Sequence, residues 1–240
     1  MTTITADAFS ARAITRAIQE GDIEDLERLL KEDSTLADAT IVDPGGCQRS
    51  LLHIVTDYPG HFPNGRQTVR SLVRAGADVN ARFVGPHEET PLHWAASTDD
   101  VAVIDTLIEL GADLEASGSV VDGTTPLANA AAFAQWRAAR RLLEHGAQAN
   151  LWQAAALGLT DRMKQLLDAD VSVDELTNAL WCACHGGQRD AAEMLLQQGA
   201  DRDWIGHDGL TPLDAAERSE ATELAAWLRS SGAASARGKS

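Results

Sequence analysis

The chain is short of the bulky side chains that usually fill a globular core, and of the cysteines that staple a small one. Only one tyrosine and four phenylalanines occur among its 240 residues, so a core has to be packed mostly by small aliphatic groups. The three cysteines, Cys47, Cys182 and Cys184, cannot all pair within one chain, and the last two are separated by a single residue inside a helical pattern. That argues against a disulfide framework and for a reducing compartment. Positive charge is scarce as well: 20 Lys and Arg stand against 36 Asp and Glu, for a net charge of -16. Such a chain repels phosphate backbones and anionic membrane surfaces, so nucleic acid and membrane are poor partners and a protein with a basic surface is a better one. No apolar run approaches the roughly 20 residues that cross a bilayer, and residues 1–14 lack the apolar centre of a signal peptide, so a cytoplasmic location is expected. Disorder is not expected, because 44% hydrophobic and 23% charged residues are globular proportions.

Catalytic signatures are missing too. The chain has no Gly-x-x-x-x-Gly-Lys phosphate loop, no Gly-x-Ser-x-Gly elbow and no His-Glu-x-x-His metal motif. Cys182-Ala183-Cys184-His185 places two thiols at i and i+2 of a helix, where they point to different faces, and no second cluster completes a ligand set. The acidic pairs Glu88-Glu89 and Asp99-Asp100 fall in loops and read as solvated. No catalytic residue, metal or cofactor is expected, and the chain is read as non-enzymatic.

What is present is repetition. Ala75-Gly76-Ala77-Asp78 returns as Leu110-Gly111-Ala112-Asp113, His145-Gly146-Ala147-Gln148 and Gln198-Gly199-Ala200-Asp201. Gly76, Gly111 and Gly146 are evenly spaced, and Gly199 to Gly232 keeps nearly the same period. The gap from Gly146 to Gly199 is too long for one unit and holds a shortened copy ending near Leu166-Leu167. A second marker leads each unit: Thr90-Pro91-Leu92-His93, Thr125-Pro126-Leu127-Ala128, Thr211-Pro212-Leu213-Asp214 and, degenerately, Ser50-Leu51-Leu52-His53. Thr90 suits a helix N-cap and Pro91 the first helical position, where a missing N–H costs nothing. Small Ala95 and Ala96 let a neighbouring helix approach. Val101, Ile104, Leu107 and Ile108 then form one buried stripe, and Gly111 ends the second helix.

These markers resemble the ankyrin-repeat family from about residue 8 to 233. The resemblance implies an all-α solenoid of about seven helix-turn-helix units, a curved elongated array, over 8–38, 39–82, 83–117, 118–150, 151–172, 173–205 and 206–233. One domain over 1–233 is expected, followed by a disordered tail at 234–240. Two units depart from the pattern. The second carries a loop with two prolines and two glycines, Asp57 to Gly65, and the fifth lacks a recognisable Thr-Pro-Leu-His.

The family's turn tips and first-helix ends imply a concave protein-binding surface. Carried position by position, that surface is Tyr58, His61 and Phe62 of the long loop, then Pro86, His87, Glu89, Ser97, Thr98, Val121, Asp122, Phe133, His185, Trp204 and His207. His53 and His93 occupy a slot that the resemblance makes structural. Trp152 and Trp181 align with it, and Trp94, Trp136 and Trp227 read as core. A rival reading makes Trp94, Trp152, Trp181 and His93 the aromatic pocket of a small-molecule binder or enzyme; a third gives the chain a purely structural, assembly role.

Overall fold

The computed structural model describes residues 2–236. Among them are fourteen α-helices in seven antiparallel pairs, in an all-α repeat architecture. The described chain divides into two compact bodies between Ala147 and Gln148.

The first body holds four pairs: α1 (Phe9–Glu20) with α2 (Ile23–Glu32), α3 (Leu51–Thr56) with α4 (Gly65–Arg74), α5 (Pro91–Ser97) with α6 (Val101–Glu109), and α7 (Pro126–Ala132) with α8 (Trp136–Glu144). The first helices stack in order, α1 on α3 on α5 on α7, and the second helices form a parallel row, α2 on α4 on α6 on α8. Alanine makes the first row close: Ala95, Ala96, Ala130 and Ala131 are all fully buried. The second row supplies longer aliphatics such as Val103, Ile104, Leu107 and Leu142. No pair covers its own apolar face, so each is stabilised by its neighbours.

The second body holds three pairs: α9 (Leu151–Ala156) with α10 (Thr160–Leu167), α11 (Val173–His185) with α12 (Arg189–Gln197), and α13 (Pro212–Arg218) with α14 (Thr222–Ser230). Here α11 packs between α9 and α13. Among the described residues, no helix is long and apolar enough to cross a membrane.

Local chemistry starts the first helices. His53 Nδ1 accepts from the Ser50 backbone N–H at 3.3 Å and lies 2.9 Å from the Ser50 hydroxyl. Thr90 and His93 repeat the arrangement at 3.1 and 2.9 Å. Asn150 with Gln153, Ser172 with Glu175 and Thr211 with Asp214 close equivalent boxes. The other ring nitrogen of each histidine reaches forward: His53 Nε2 to the Glu89 carbonyl at 3.0 Å, His93 Nε2 to the Thr124 carbonyl at 3.2 Å. The slot is therefore a strap between consecutive units. Between the helices of six of the seven pairs the chain reverses through one left-handed residue, at Gly21, Asp99, Ala134, Gly158, Gly187 and Glu220, whereas the longer loop between α3 and α4 has three, Gly60, His61 and Asn64.

Four features depart from the sequence reading. A three-stranded sheet joins β1 (Thr3–Thr5) in parallel to β2 (Thr40–Val42), and β2 antiparallel to β3 (Gln48–Ser50). Glu89 and Asp100 are buried rather than solvated, because each accepts backbone N–H groups: Val120 on Glu89, and Val103 and His61 on Asp100. Trp94, Trp136 and Trp227 are half-buried rather than core. The tail expected to be disordered from 234 is tied down at its start: Ala234 N–H donates to Asp203 at 2.7 Å, and Ser235 Oγ and Ala236 N–H donate to Asp214 at 2.6 and 2.9 Å. Residues 237–240 lie outside the described residues.

Candidate functional site

An open groove of about 510 Å³ crosses the first body where the loop after α3 faces the ends of α5 and α7. Its lining combines Tyr58, Trp94, Val120 and Phe133 with Asp57, Glu89, Ser97 and Thr98. Tyr58 is 87% exposed, Val120 51% and Phe133 47%, a concentration of apolar surface that folding alone leaves unsatisfied. Tyr58 is held out by Asp57, whose Oδ1 accepts the Tyr58 N–H at 2.9 Å while its Oδ2 takes Arg49 at 2.6 Å.

The groove rests on a rigid support. Trp94 packs edge-on against His53, with centroids 4.9 Å apart, and tilts against Phe83 at 5.4 Å. Phe83 in turn stacks on His87 at 4.5 Å. Beside this cluster runs a buried polar network. Asn129 donates to Glu89 Oε1 at 2.7 Å and to Ser97 Oγ at 3.0 Å, and accepts from the Ser119 hydroxyl. Ser119 Oγ accepts the Val121 N–H at 2.8 Å, and Glu89 Oε1 accepts the Val120 N–H at 3.0 Å. Side chains from α5 and α7 and backbone from the turn between them are thereby locked together, so the groove is formed before anything enters it. Burial lowers the pKa of both straps, His53 to about 4 and His93 in the same direction, which keeps both imidazoles neutral near pH 7.

The sequence-derived contact residues divide among several places. Tyr58, Ser97, Thr98 and Phe133 come together in the groove, with Glu89 buried at 4% exposure beneath it. Glu89 is thus a support and not an exposed contact. His61 and Phe62 turn to a separate depression of about 430 Å³ with Asn64, Asp100 and Val103, where His61 Nε2 reaches the Thr98 carbonyl at 2.8 Å. Pro86 and Asp122 are exposed at turn tips, while His87 and Val121 are half-buried. Val120 and Trp94 also line the groove without being among the sequence-derived contact residues: Val120 adjoins the selected Val121, and Trp94 reads as core or, in the rival reading, as part of an aromatic pocket.

The remaining three lie in the second body around Trp181. His185 stacks on Trp181 at 5.6 Å, His207 meets it edge-on at 5.0 Å, and Trp204 meets His207 at 5.9 Å. Trp181 is 4% exposed and donates Nε1–H to the Leu210 carbonyl at 3.0 Å, doing for this unit what His53 and His93 do for theirs. Trp152 shares the slot when counted back from the turn at Gly158, yet the capping box falls to Gln153 because α9 begins one residue later. Of the proposed aromatic pocket, Trp94 and His93 belong to the first body and Trp152 and Trp181 to the second. Cys182 and Cys184 are buried, and burial pushes the Cys182 thiol up to about 12 and that of Cys184 in the same direction. Among the described residues, no group of three or more His, Cys, Asp or Glu is placed to hold a metal ion.

Comparison with known proteins places these observations in a wider set. The family profile described as ankyrin repeats (three copies) matches residues 14–117, 63–151 and 151–237. An ankyrin repeat and KH domain-containing protein, mask-1 of Caenorhabditis elegans, is 28% identical over 157 residues, covering 59% of this chain and 6% of that protein. Human Rabankyrin-5 is 36% identical over 94 residues, covering 35% of this chain and 7% of its own length. The chain thus spans under a tenth of the curated relatives it matches. The crystal structure of the human ASB11 ankyrin repeat domain superposes with a TM-score of 0.54 at 21% identity, over 90% of this chain and 96% of that one.

Proposed function

Since the chain belongs to the ankyrin-repeat family, whose repeats are generally protein–protein interaction modules, we propose that it is a non-catalytic binding module that seats a protein partner in the groove of its first body. The observation that carries this reading is the exposure of Tyr58, Val120 and Phe133 around one groove whose floor is fixed by the Trp94 cluster and the Asn129 network. A preformed surface loses little conformational freedom on association, so a few aromatic anchors supply most of the affinity. The net charge of -16 favours a partner with a basic surface and speeds its encounter. Ser97, Thr98 and Gln135 form the polar rim in this reading, and Asp57 fixes the angle at which Tyr58 is offered.

The test compares the unaltered chain with the Tyr58→Ala, Phe133→Ala double variant as baits for affinity capture, with bound proteins identified by mass spectrometry. Both side chains are exposed, so thermal melting should be nearly unchanged while specifically captured proteins are lost. Capture of the same proteins at the same yield by the double variant would reject the groove as the contact surface.

A further inference from the structure

Resting on the groove reading above, we propose that the groove receives one lysine or arginine side chain of the protein partner, held between the aromatic faces of Tyr58, Trp94 and Phe133 and above the Glu89 carboxylate. Three observations converge on a cation. The walls carry three aromatic rings, Tyr58, Trp94 and Phe133, and aromatic π faces attract positive charge while offering an aliphatic group only area. Among the described residues that line the groove, two are carboxylates and none carries a positive charge. The two carboxylates also differ in how they are satisfied. Asp57 is met by the Arg49 guanidinium at 2.6 Å, so its charge is already answered. Glu89 is held instead by neutral donors, the Val120 N–H at 3.0 Å and the Asn129 amide at 2.7 Å, with the His87 imidazole 3.3 Å from its other oxygen.

No lysine or arginine pairs with Glu89 among the described residues. Dipoles stabilise a buried carboxylate without cancelling its field, and at 4% exposure water screens that field poorly. The groove therefore combines negative potential at its base with aromatic and aliphatic walls. A carboxylate-bearing side chain would be repelled, and an aliphatic one would gain buried area only. A lysine or arginine gains both terms: its methylene stem passes Val120 and Thr98 while its charged head meets the rings and the field of Glu89. The long-range charge of the chain works in the same direction.

The experiment selects peptides from a random phage-displayed library on the full chain, discards those that also bind the Tyr58→Ala, Phe133→Ala variant, and measures the survivors by fluorescence anisotropy. Each synthetic peptide is compared with its counterpart in which lysine or arginine is replaced by norleucine. On the unaltered chain the norleucine peptide should bind about tenfold more weakly or worse, on the scale of a desolvated cation–π contact with a charge beneath it. On Glu89→Gln, which keeps an acceptor oxygen for Val120 and Asn129, that difference should shrink to about twofold. Tyr58→Leu with Phe133→Leu keeps apolar area, removes two π faces and leaves the buried network untouched; it should shrink the difference in the same way even if Glu89→Gln fails to fold. Norleucine peptides that bind as tightly as their cationic parents overturn the cation while leaving the groove reading intact. A library that yields no peptide sensitive to Tyr58 and Phe133 overturns both.

Discussion

His53 and Glu89 are joined across two units by a hydrogen bond in which the imidazole Nε2–H donates to the backbone carbonyl at 3.0 Å. The same ring accepts the Ser50 N–H at Nδ1, so only the neutral tautomer protonated at Nε2 satisfies both ends. One side chain thus caps its own helix, straps the next unit and fixes the backbone of the residue whose carboxylate lies under the groove.

This strap makes the chain sensitive to mild acid. Burial lowers the His53 pKa from 6.5 to about 4, so between those values the unfolded chain binds a proton that the native chain refuses. Stability is then complete above pH 6.5 and falls as the pH approaches about 4, by about 3 kcal/mol for this one group. His93 shifts in the same direction and adds to the loss. Urea unfolding of the unaltered chain and of His53→Gln at pH 7.5 and pH 5 checks this. The variant should be less stable at the higher pH and lose less on acidification; equal losses in both would remove His53 as the cause.

Trp181 should behave as a packing residue of the second body. It is 4% exposed, its indole N–H is committed to Leu210, and the Arg218 guanidinium lies 5.4 Å from its ring centre. Trp181→Ala should cost about 3–5 kcal/mol, as large buried aromatic deletions do. Trp181→Phe should cost less: the Leu210 carbonyl loses the indole N–H but keeps the Gly206 N–H at 2.9 Å, so the lost bond is worth about 0.5–1.5 kcal/mol. Denaturant midpoints decide it, and an unchanged midpoint for Trp181→Ala would favour the rival pocket reading.

The helix pairs were legible because their signals are local and recur: a threonine cap before proline, paired alanines, a glycine after five of the seven second helices. The exposed Tyr58 was legible for a similar reason, since two prolines and two glycines mark its loop. What stayed hidden depends on distant partners. Glu89 reads as a solvated loop acid until Asn129, forty positions on, donates to it. Strands of three residues carry almost no pattern, and β1 pairs with a segment beyond two intervening helices. The left-handed residue of the reversal is glycine at Gly21, Gly158 and Gly187, but at Asp99, Ala134 and Glu220 it falls on residues that seldom adopt that conformation and so give no sign of it.

That last irregularity leaves stability to be gained at Ala134. Its φ of 57° costs an L-residue about 1–2 kcal/mol, of which a glycine would return about 0.4–1 to the entropy of the unfolded chain. Ala134 is exposed, so Ala134→Gly removes only a solvent-facing methyl group and should stabilise by about 0.5–1 kcal/mol. Asp99→Gly, at the equivalent place, should fail to do so, because Asp99 Oδ1 accepts the Ala138 N–H at 2.7 Å. A rise in melting temperature for the first variant without the second is the expected pattern. Destabilisation by Ala134→Gly would mean that the conformation is not strained.

The strap between units changes polarity at the last one. His53, His93 and Trp181 each donate forward to a carbonyl of the following unit, but Asp214, in the same slot after Thr211-Pro212-Leu213, is an acceptor. It takes Thr211 Oγ1 at 2.9 Å and the Thr211 N–H at 3.1 Å, and from the tail Ser235 Oγ at 2.6 Å and the Ala236 N–H at 2.9 Å. Ser235 and Ala236 thus bring two donors from beyond α14 to a slot that in the earlier units donates forward. Burial raises the Asp214 pKa, but the hydrogen bonds from Ser235, Ala236 and Thr211 outweigh it and leave the carboxyl below its ordinary value. Stability from this group is therefore present above the unfolded carboxylate pKa and lost as the pH falls through the lower folded one. Truncation after Ala233 removes two donors from a buried acceptor, so it should cost about 1–3 kcal/mol and shift the acid loss to higher pH. Hydrogen exchange should quicken in α13 and α14 and stay unchanged in the first body, because each pair leans only on its neighbours. Equal protection of α13 and α14 with and without the tail would show that Asp214 does not need it.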